Sequence, residues 1–231
     1  MRGVETMDEK EKVKYIVAFT YGDGYIGKHG TECRFQANNI EQNMDYILWR
    51  KEILENITPV QLSPNIKREP QHSQQYKTCT RTHPIYTKIW SRLYICNKKV
   101  IDPHYLKLLD WETLAIWYMD DGSIRPNIRY YKDKTYYCTP TPNIATCCFS
   151  YGDNLLIKQA IKERLGIEFN ISKHAFGKNL EQQYILNLAS SSFDRFIENI
   201  KPFILPSFKY KLNPYDKPLV EKQGEDIVRT A

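Results

Sequence analysis

The chain has 231 residues, enough for one large domain or two small fused ones. Its formal net charge is +6 and its aromatic fraction is 13%, mostly tyrosine, which favours a polyanionic partner and a fold containing sheets over an all-helical protein. The six cysteines show no zinc spacing and no apolar run could span a membrane, so we expect reduced thiols, an intracellular location and no membrane partner.

The first half of the chain predicts three helices with strands between them. The helical segments are 11–21, 40–57 and 83–95, and the best-marked strands are 32–38 and 74–81. Segment 32–38 alternates strictly. Its apolar side chains therefore share one face of a sheet, and its polar side chains share the other.

The second half repeats this order. Asp110 is a good N-cap for a helix that ends before Gly122, where glycine suits the residue after a helix end. The later segments are a polar hairpin of 124–138 and 143–150 turning at 139–142, a helix at 154–165, strands at 167–176 and 183–188, and a helix at 191–200.

The two halves predict an α+β fold in which the order αββαββα occurs twice. We expect an N-terminal half at 1–100, a linker at 101–110, a C-terminal half at 111–214 and a tail without periodicity at 215–231. Helices on one face of an antiparallel sheet leave the other face free.

Two apolar helical segments each end in an Asp-Gly pair, at Asp23 and at Asp121. A single Asp-Gly is most often an ordinary turn at a helix end. Two matched segments in halves of the same order favour a functional pair. A carboxylate meets the unfavourable end of the helix dipole there, and a hard cation such as Mg²⁺ would offset that.

The polar strand positions carry basic and amide side chains that suit phosphates and base edges. The side chains that we expect on a DNA-binding face are Lys28, Arg34, Gln36, Asn38, Lys77, Arg81, Arg125, Arg129, Lys132 and Lys173.

Segments 17–24 and 114–122, with the lysine-bearing segments 97–99 and 200–212, resemble the motifs of LAGLIDADG homing endonucleases in the monomeric two-motif branch. The resemblance covers most of the chain. It implies two pseudo-symmetric halves, with the motif helices packed at the centre and the two sheets forming a saddle over DNA. It also implies an asymmetric helix interface, because Ala18 and Gly22 are small where Ile116 and Asp120 are not.

By this resemblance the metal-binding acids are Asp23 and Asp121, while Asp120 is structural. The backbone carbonyls of Gly22 and Asp120 also face the two or three Mg²⁺ ions. The active-site lysines correspond to Lys99 and Lys211, with Lys98 as the alternative to Lys99.

The resemblance implies a site-specific double-strand DNA endonuclease. It would hydrolyse phosphodiesters across the minor groove of a long asymmetric target, act as a monomer and leave short 3′ overhangs. The alternatives are an intron RNA maturase on the same fold, a non-catalytic DNA-binding regulator and, more remotely, a generic Mg²⁺ phosphodiesterase. The frequent Lys, Asn, Ile and Tyr suit an AT-rich genome, so organellar encoding in mitochondria or plastids is compatible with the composition.

Overall fold

The computed structural model describes residues 7–65, 73–132, 134–176, 181–215 and 227–229. It confirms the α+β class: two mainly antiparallel sheets carry helices, and two central helices lie between them. In chain order the elements are α1 (Glu9–Tyr21), β1 (Tyr25–His29), β2 (Glu32–Ile40), α2 (Met44–Glu55), β3 (Val60–Pro64), β4 (Gln75–Thr80), α3 (Pro84–Leu93), β5 (Tyr94–Ile95), β6 (Lys98–Lys99), α4 (Pro103–Leu106), α5 (Trp111–Asp121), β7 (Gly122–Tyr131), β8 (Lys134–Ala145), α6 (Tyr151–Leu165), β9 (Phe169–Phe176), β10 (Gln182–Leu188), α7 (Phe193–Ile200) and β11 (Ile227–Arg229).

The first sheet has the strand order β1-β2-β4-β3. In β2, Cys33, Phe35 and Ala37 are buried beneath the helices, and Arg34 and Asn38 alternate with them on the opposite face. Antiparallel pairing across the sheet extends this separation to its neighbours, because directly opposed residues share a face. The predicted alternation of this strand is therefore confirmed.

The second sheet differs from the expected hairpin. Strands β7 and β8 turn at Lys132, whose φ is +45°, and Thr139, Pro140 and Pro142 lie within β8 instead of in a turn. The prediction of a turn at 139–142 was therefore wrong. Proline is tolerated within a strand where the ladder is interrupted, and the register of this pair shifts at that level.

The C-terminal part of β8 pairs with β10, which pairs with β9. Two segments that were expected to lack elements contain short ones. Helix α4 lies in the predicted linker, and β11, in the predicted tail, runs parallel to the start of β8. The division of the chain into two halves at these boundaries stays a prediction.

The two central helices, α1 and α5, pack against each other, and each also contacts further helices of the fold. The rings of Tyr21 and Trp117 lie 5.6 Å apart near the C-terminal ends. Near the other end, Lys14 Nζ lies 3.0 Å from the Asp110 carboxylate and 2.8 Å from that of Glu112. Asp110 also caps α5 in a box with Thr113, as its sequence position predicted. Both helices therefore end side by side at their acidic C-termini.

Candidate active site at the ends of the central helices

The two predicted acids leave the central helices at the same end of the pair. Asp23 follows α1 directly after Gly22 and is exposed, whereas Asp121 is the last residue of α5 and is half-buried. The indole Nε1 of Trp117 donates a hydrogen bond of 3.3 Å to Asp121 Oδ2 from one helical turn earlier. Packing of α1 on α5 thus places one carboxylate from each half in a shared site.

Asp120 crosses the helix interface and does not point away from it. Its Oδ2 accepts a hydrogen bond of 3.3 Å from the backbone N–H of Asp23. A Cβ built on Gly22 would lie only 2.2 Å from the same oxygen, so the absent side chain of Gly22 leaves the space that Asp120 fills. The interface is therefore asymmetric, as the unequal side chains of the two motifs imply.

The glycines after the acids are required by close approach. A Cβ on Gly24 would lie 2.4 Å from the carbonyl oxygen of Phe19, and one on Gly122 would lie 2.1 Å from the ring of Tyr118. Gly122 has φ −81° and ψ 149°, an ordinary extended conformation. The expectation that it acts as a helix-ending glycine was right about the residue, but the reason is space and not a left-handed backbone.

One lysine from each half holds the carbonyl oxygens of the helix ends. Lys99 Nζ donates to the carbonyls of Gly22 and Gly24 at 3.0 and 3.1 Å. Lys211, which is only 6% exposed, donates to the carbonyls of Met119 and Tyr118 at 2.6 and 3.3 Å. Lys98 instead points to the surface, where it pairs with Glu181. Lys99 is thus the residue of the pair that reaches the helix end beside Asp23, and it donates to the Gly22 carbonyl that was predicted to face a metal.

The electrostatics of the site reflect burial and like charges. Burial first, and then the charge of Asp23, raise the pKa of Asp120 and that of Asp121 to about 7. Burial lowers the pKa of Lys99 and that of Lys211, and the three carboxylates partly oppose this effect. Adding a cation among these carboxylates would relieve their mutual repulsion.

Arg50, a buried charged residue whose charge acts on Asp120, was not identified from the sequence. Arg50 of α2 is fully buried and donates to Asn39 Oδ1 at 2.5 Å. Its guanidinium carbon lies 5.1 Å from the ring centroid of Tyr46, and its positive charge acts on Asp120. Burial followed by the charge of Asp120 raises the pKa of Tyr46. The available signal was an arginine within the apolar stripe of a helix, since buried arginine is rare without a partner.

Eight of the ten predicted DNA-binding residues fall into two groups. Those on the helix-free face of the first sheet or along its continuation are Arg34, Gln36, Asn38, Lys77 and Arg81. Arg125 and Arg129 are exposed along β7, and Lys132 lies in the turn with its ammonium 5.2 Å from the Tyr131 ring centroid.

Lys28 and Lys173 lie on the other face of their sheets. Lys28 is opposite the buried Cys33, and its ammonium lies 4.5 Å from the ring centroid of Trp90 in α3. Lys173 is opposite Tyr184, whose ring contacts Tyr151 at the start of α6. Both were placed on the polar face by sequence, and the strand register corrects this.

The paired helices, the acids at their ends and the two sheets define a two-motif α+β protein. The family model described as the LAGLIDADG DNA endonuclease family matches residues 20–196. The chain belongs to this family. Within the described residues, no helix combines the length and apolar composition of a membrane span.

Solved structures share the fold. The homing endonuclease I-WcaI bound to its DNA recognition sequence aligns with a TM-score of 0.69 and 21% identity, covering 89% of this chain and 87% of that one. The meganuclease I-SmaMI bound to uncleavable DNA aligns with a TM-score of 0.54 and 11% identity over 85% of each chain.

Curated relatives are more varied in name. The cytochrome b mRNA maturase bI2 of Saccharomyces cerevisiae is 27% identical over 84% of this chain and 45% of its own length. The maturase bI2 of Debaryomyces hansenii is 25% identical over 90% of this chain and 75% of its own length. The protein RecA of Mycolicibacterium flavescens is 24% identical over 88% of this chain and 47% of its own. The chain spans about half the length of the first relatives it matches.

Proposed function

We propose that this chain is a site-specific double-strand DNA endonuclease whose active site is formed jointly by the ends of α1 and α5. The observation that carries the proposal is the convergence of four side chains, Asp23 and Asp121 with Lys99 and Lys211, at one end of the helix pair. Each half supplies one acid and one lysine. Such an arrangement suits the hydrolysis of two phosphodiesters, one on each strand.

The residues fit a divalent cation. Carboxylate and carbonyl oxygens are the ligands that Mg²⁺ prefers. Burial and then the charge of Asp23 raise the pKa of Asp121, and a bound cation would oppose this effect. Among the described residues, no three His, Cys, Asp or Glu side chains form a complete metal site, so water and DNA phosphate would complete the ligand set. Asp23, Asp121 and the Asp120 carbonyl would hold two or three Mg²⁺ ions, which would supply Lewis-acid activation of water and phosphate.

The two lysines of the site would stabilise charge and would not bind the metal. Lys99 and Lys211 hold their ammonium groups on backbone carbonyls, so their charges are fixed before DNA binds. A fixed positive charge beside the scissile phosphate stabilises the charge that develops as the phosphodiester is hydrolysed. The polar sheet faces would bind the major groove of a long asymmetric target, with cleavage across the minor groove leaving short 3′ overhangs and the chain acting as a monomer.

Cleavage of a randomised duplex library in Mg²⁺, with the cut ends sequenced, tests this proposal. Asp23→Asn and Asp121→Asn should each abolish double-strand cleavage while leaving the fold intact. Asp194→Asn, at an exposed position of α7, is the matched control. Full activity of either site variant, or 5′ overhangs in the products, would refute the assignment.

A second function is favoured by the two relatives named as mRNA maturases. An intron RNA would then be a partner of the same chain, with or without DNA cleavage. The test is a splicing assay with a cognate intron transcript and the Asp23→Asn variant. Splicing support that survives loss of cleavage would establish the maturase role, and absence of RNA binding would exclude it.

A further inference from the structure

The hairpin of β7 and β8 is interrupted halfway along its length. Arg125 pairs with Thr141, but Asn127 pairs with Cys138, so β8 contains one extra residue between these two levels. Pro140 lies in this stretch and has no N–H to contribute to the ladder. The interruption separates an inner part, residues 122–125 and 141–145, which reaches β10, from an outer arm that we define as residues 127–132 and 134–138. Residues 135–137 of the outer arm also pair with β11.

The hydroxyl of Tyr215 lies in this interruption. It accepts a hydrogen bond of 2.9 Å from the N–H of Asn127 and lies 2.7 Å from the carbonyl oxygen of Cys138. The Asn127 carbonyl is also near, at 3.2 Å, but a hydroxyl has one proton and the shorter contact to Cys138 takes it. The ring packs edge-on against Tyr137 at 5.2 Å. One side chain thus joins both strands where their own ladder is broken.

The segment that carries Tyr215 is itself fixed to the rest of the molecule. The N–H of Ser207 donates to the Asp45 carboxylate of α2, at 3.0 Å. Further along, the carbonyl of Lys211 accepts a hydrogen bond of 2.9 Å from the hydroxyl of Tyr118. Residues 206–215 therefore form a strap that starts on the first half, passes through the candidate active site and ends on the hairpin.

We propose that Tyr215 is a positioning residue that sets the direction of the outer arm and thereby places Arg129 against DNA. The proposal rests on the proposed function for its DNA partner. Strand β11 pairs only with residues 135–137 within the arm, among the described residues, so it does not bridge the interruption. An arm attached across an interrupted ladder would otherwise pivot, because bulges bend and weaken strand pairing. Anchoring through the strap ties the direction of the arm to the same segment that places Lys211.

Tyr215→Phe removes the hydroxyl and keeps the ring contact with Tyr137. Hydrogen exchange of peptides from 122–145 should become faster in the outer arm and stay unchanged in the inner part. Tyr76→Phe is the matched control, since within the described residues that hydroxyl makes one hydrogen bond, of 3.4 Å, to Glu41 on the first half. Unchanged exchange in the outer arm of a folded Tyr215→Phe protein would overturn the proposal.

A double-mutant cycle separates positioning from general stability. The probe is a fluorescent duplex that the wild-type protein cleaves, recovered from a randomised library and bound in Ca²⁺. Tyr215→Phe should raise Kd roughly fivefold to tenfold, the scale of a lost hydrogen bond. That cost should largely vanish in an Arg129→Ala background and persist in an Arg34→Ala background.

Equal costs in both backgrounds would show that Tyr215 only stabilises the fold and would overturn its positioning role. If the folded wild-type protein binds no duplex at all, the proposed function itself fails. The exchange experiment then decides by itself whether Tyr215 fixes the arm.

Discussion

The carboxylate of Asp120 accepts the backbone N–H of Asp23 across the interface of the two central helices, over 3.3 Å. A side chain of the second half therefore fixes the backbone of the candidate metal ligand of the first half. In the first motif the residue that corresponds to Asp120 is Gly22. It has no side chain, so it cannot make the matching contact to the backbone of the second half. The two acids thus occupy unequal surroundings, and the following predictions depend on that inequality.

Gly22→Ala should destabilise the protein by roughly 1–3 kcal/mol, the usual cost of overpacking a tight contact. The added Cβ would lie 2.2 Å from Asp120 Oδ2, so either the helices separate or the carboxylate moves. Urea unfolding followed by circular dichroism measures the change. Combining it with Asp120→Ala should recover much of the loss, since the second change removes the clashing group.

Gly152→Ala is the control for this prediction. Its added Cβ would have only Ser150 Oγ nearby, at 3.7 Å, and Gly152 lies within helix α6. Alanine in a helix is favoured over glycine, so this variant should be neutral or more stable by up to about 1 kcal/mol. Equal destabilisation by both substitutions would contradict the assigned role of Gly22.

Asp120→Asn should gain stability relative to the wild type as the pH rises, when both are measured in EDTA. The folded-state pKa of Asp120 is raised to about 7, mainly by burial, whereas an unfolded aspartate has a pKa of about 4. The stability that a raised pKa adds to the folded state is fully present below about pH 4 and is lost as the pH rises from there through about 7. Asparagine cannot ionise and so avoids that loss.

The measurement is urea unfolding at pH 5, 6.5 and 8, with Asp194→Asn on the surface of α7 as the control. The difference between Asp120→Asn and the wild type should grow in favour of the variant over this range. A difference that stays constant with pH would show that Asp120 is not held in a strongly raised state.

Lys99→Ala should slow single-turnover cleavage by roughly 10²-fold or more, the scale reported for the loss of one fixed charge-stabilising donor. Lys98→Ala, the neighbouring substitution, should stay within about twofold, because the contact that Lys98 makes in the described part of the chain is an exposed ion pair with Glu181. Single-turnover cleavage rates, measured for both variants at saturating protein, test this prediction. A Lys99→Ala variant that loses affinity for DNA but cleaves at the normal saturated rate would make this lysine a phosphate contact instead.

Lys77→Ala should weaken DNA binding and reduce its salt dependence, with the slope of log K against log salt falling by about 0.9 for one lost phosphate contact. Lys28→Ala is the same substitution on the other face of the sheet, where the ammonium lies over Trp90, and it should leave that slope unchanged. Fluorescence anisotropy between about 50 and 200 mM salt measures both. Equal slopes for the two variants would mean that the sheet face was assigned wrongly.

The hairpin of β7 and β8 shows where local sequence gives a wrong prediction. Two prolines near Thr139 favour a turn, and proline is unusual inside a strand. In the structure the hydroxyl of Tyr215, far along the chain, bridges the strands at that level. A contact between residues so distant in sequence cannot be read from local turn chemistry.

The sequence by itself predicted the order of the longer elements, the C-terminal ends of both central helices and a functional pair of Asp23 and Asp121. These depend on local properties: hydrophobic period, capping residues such as Asp110, and repetition. Only the tertiary structure decided that Lys99 and not Lys98 reaches the helix end beside Asp23, that Lys28 and Lys173 leave the polar faces, and that Asp120 crosses to Asp23. Strand register and helix packing fix which way each side chain points, and both arise from contacts between segments that lie far apart along the chain.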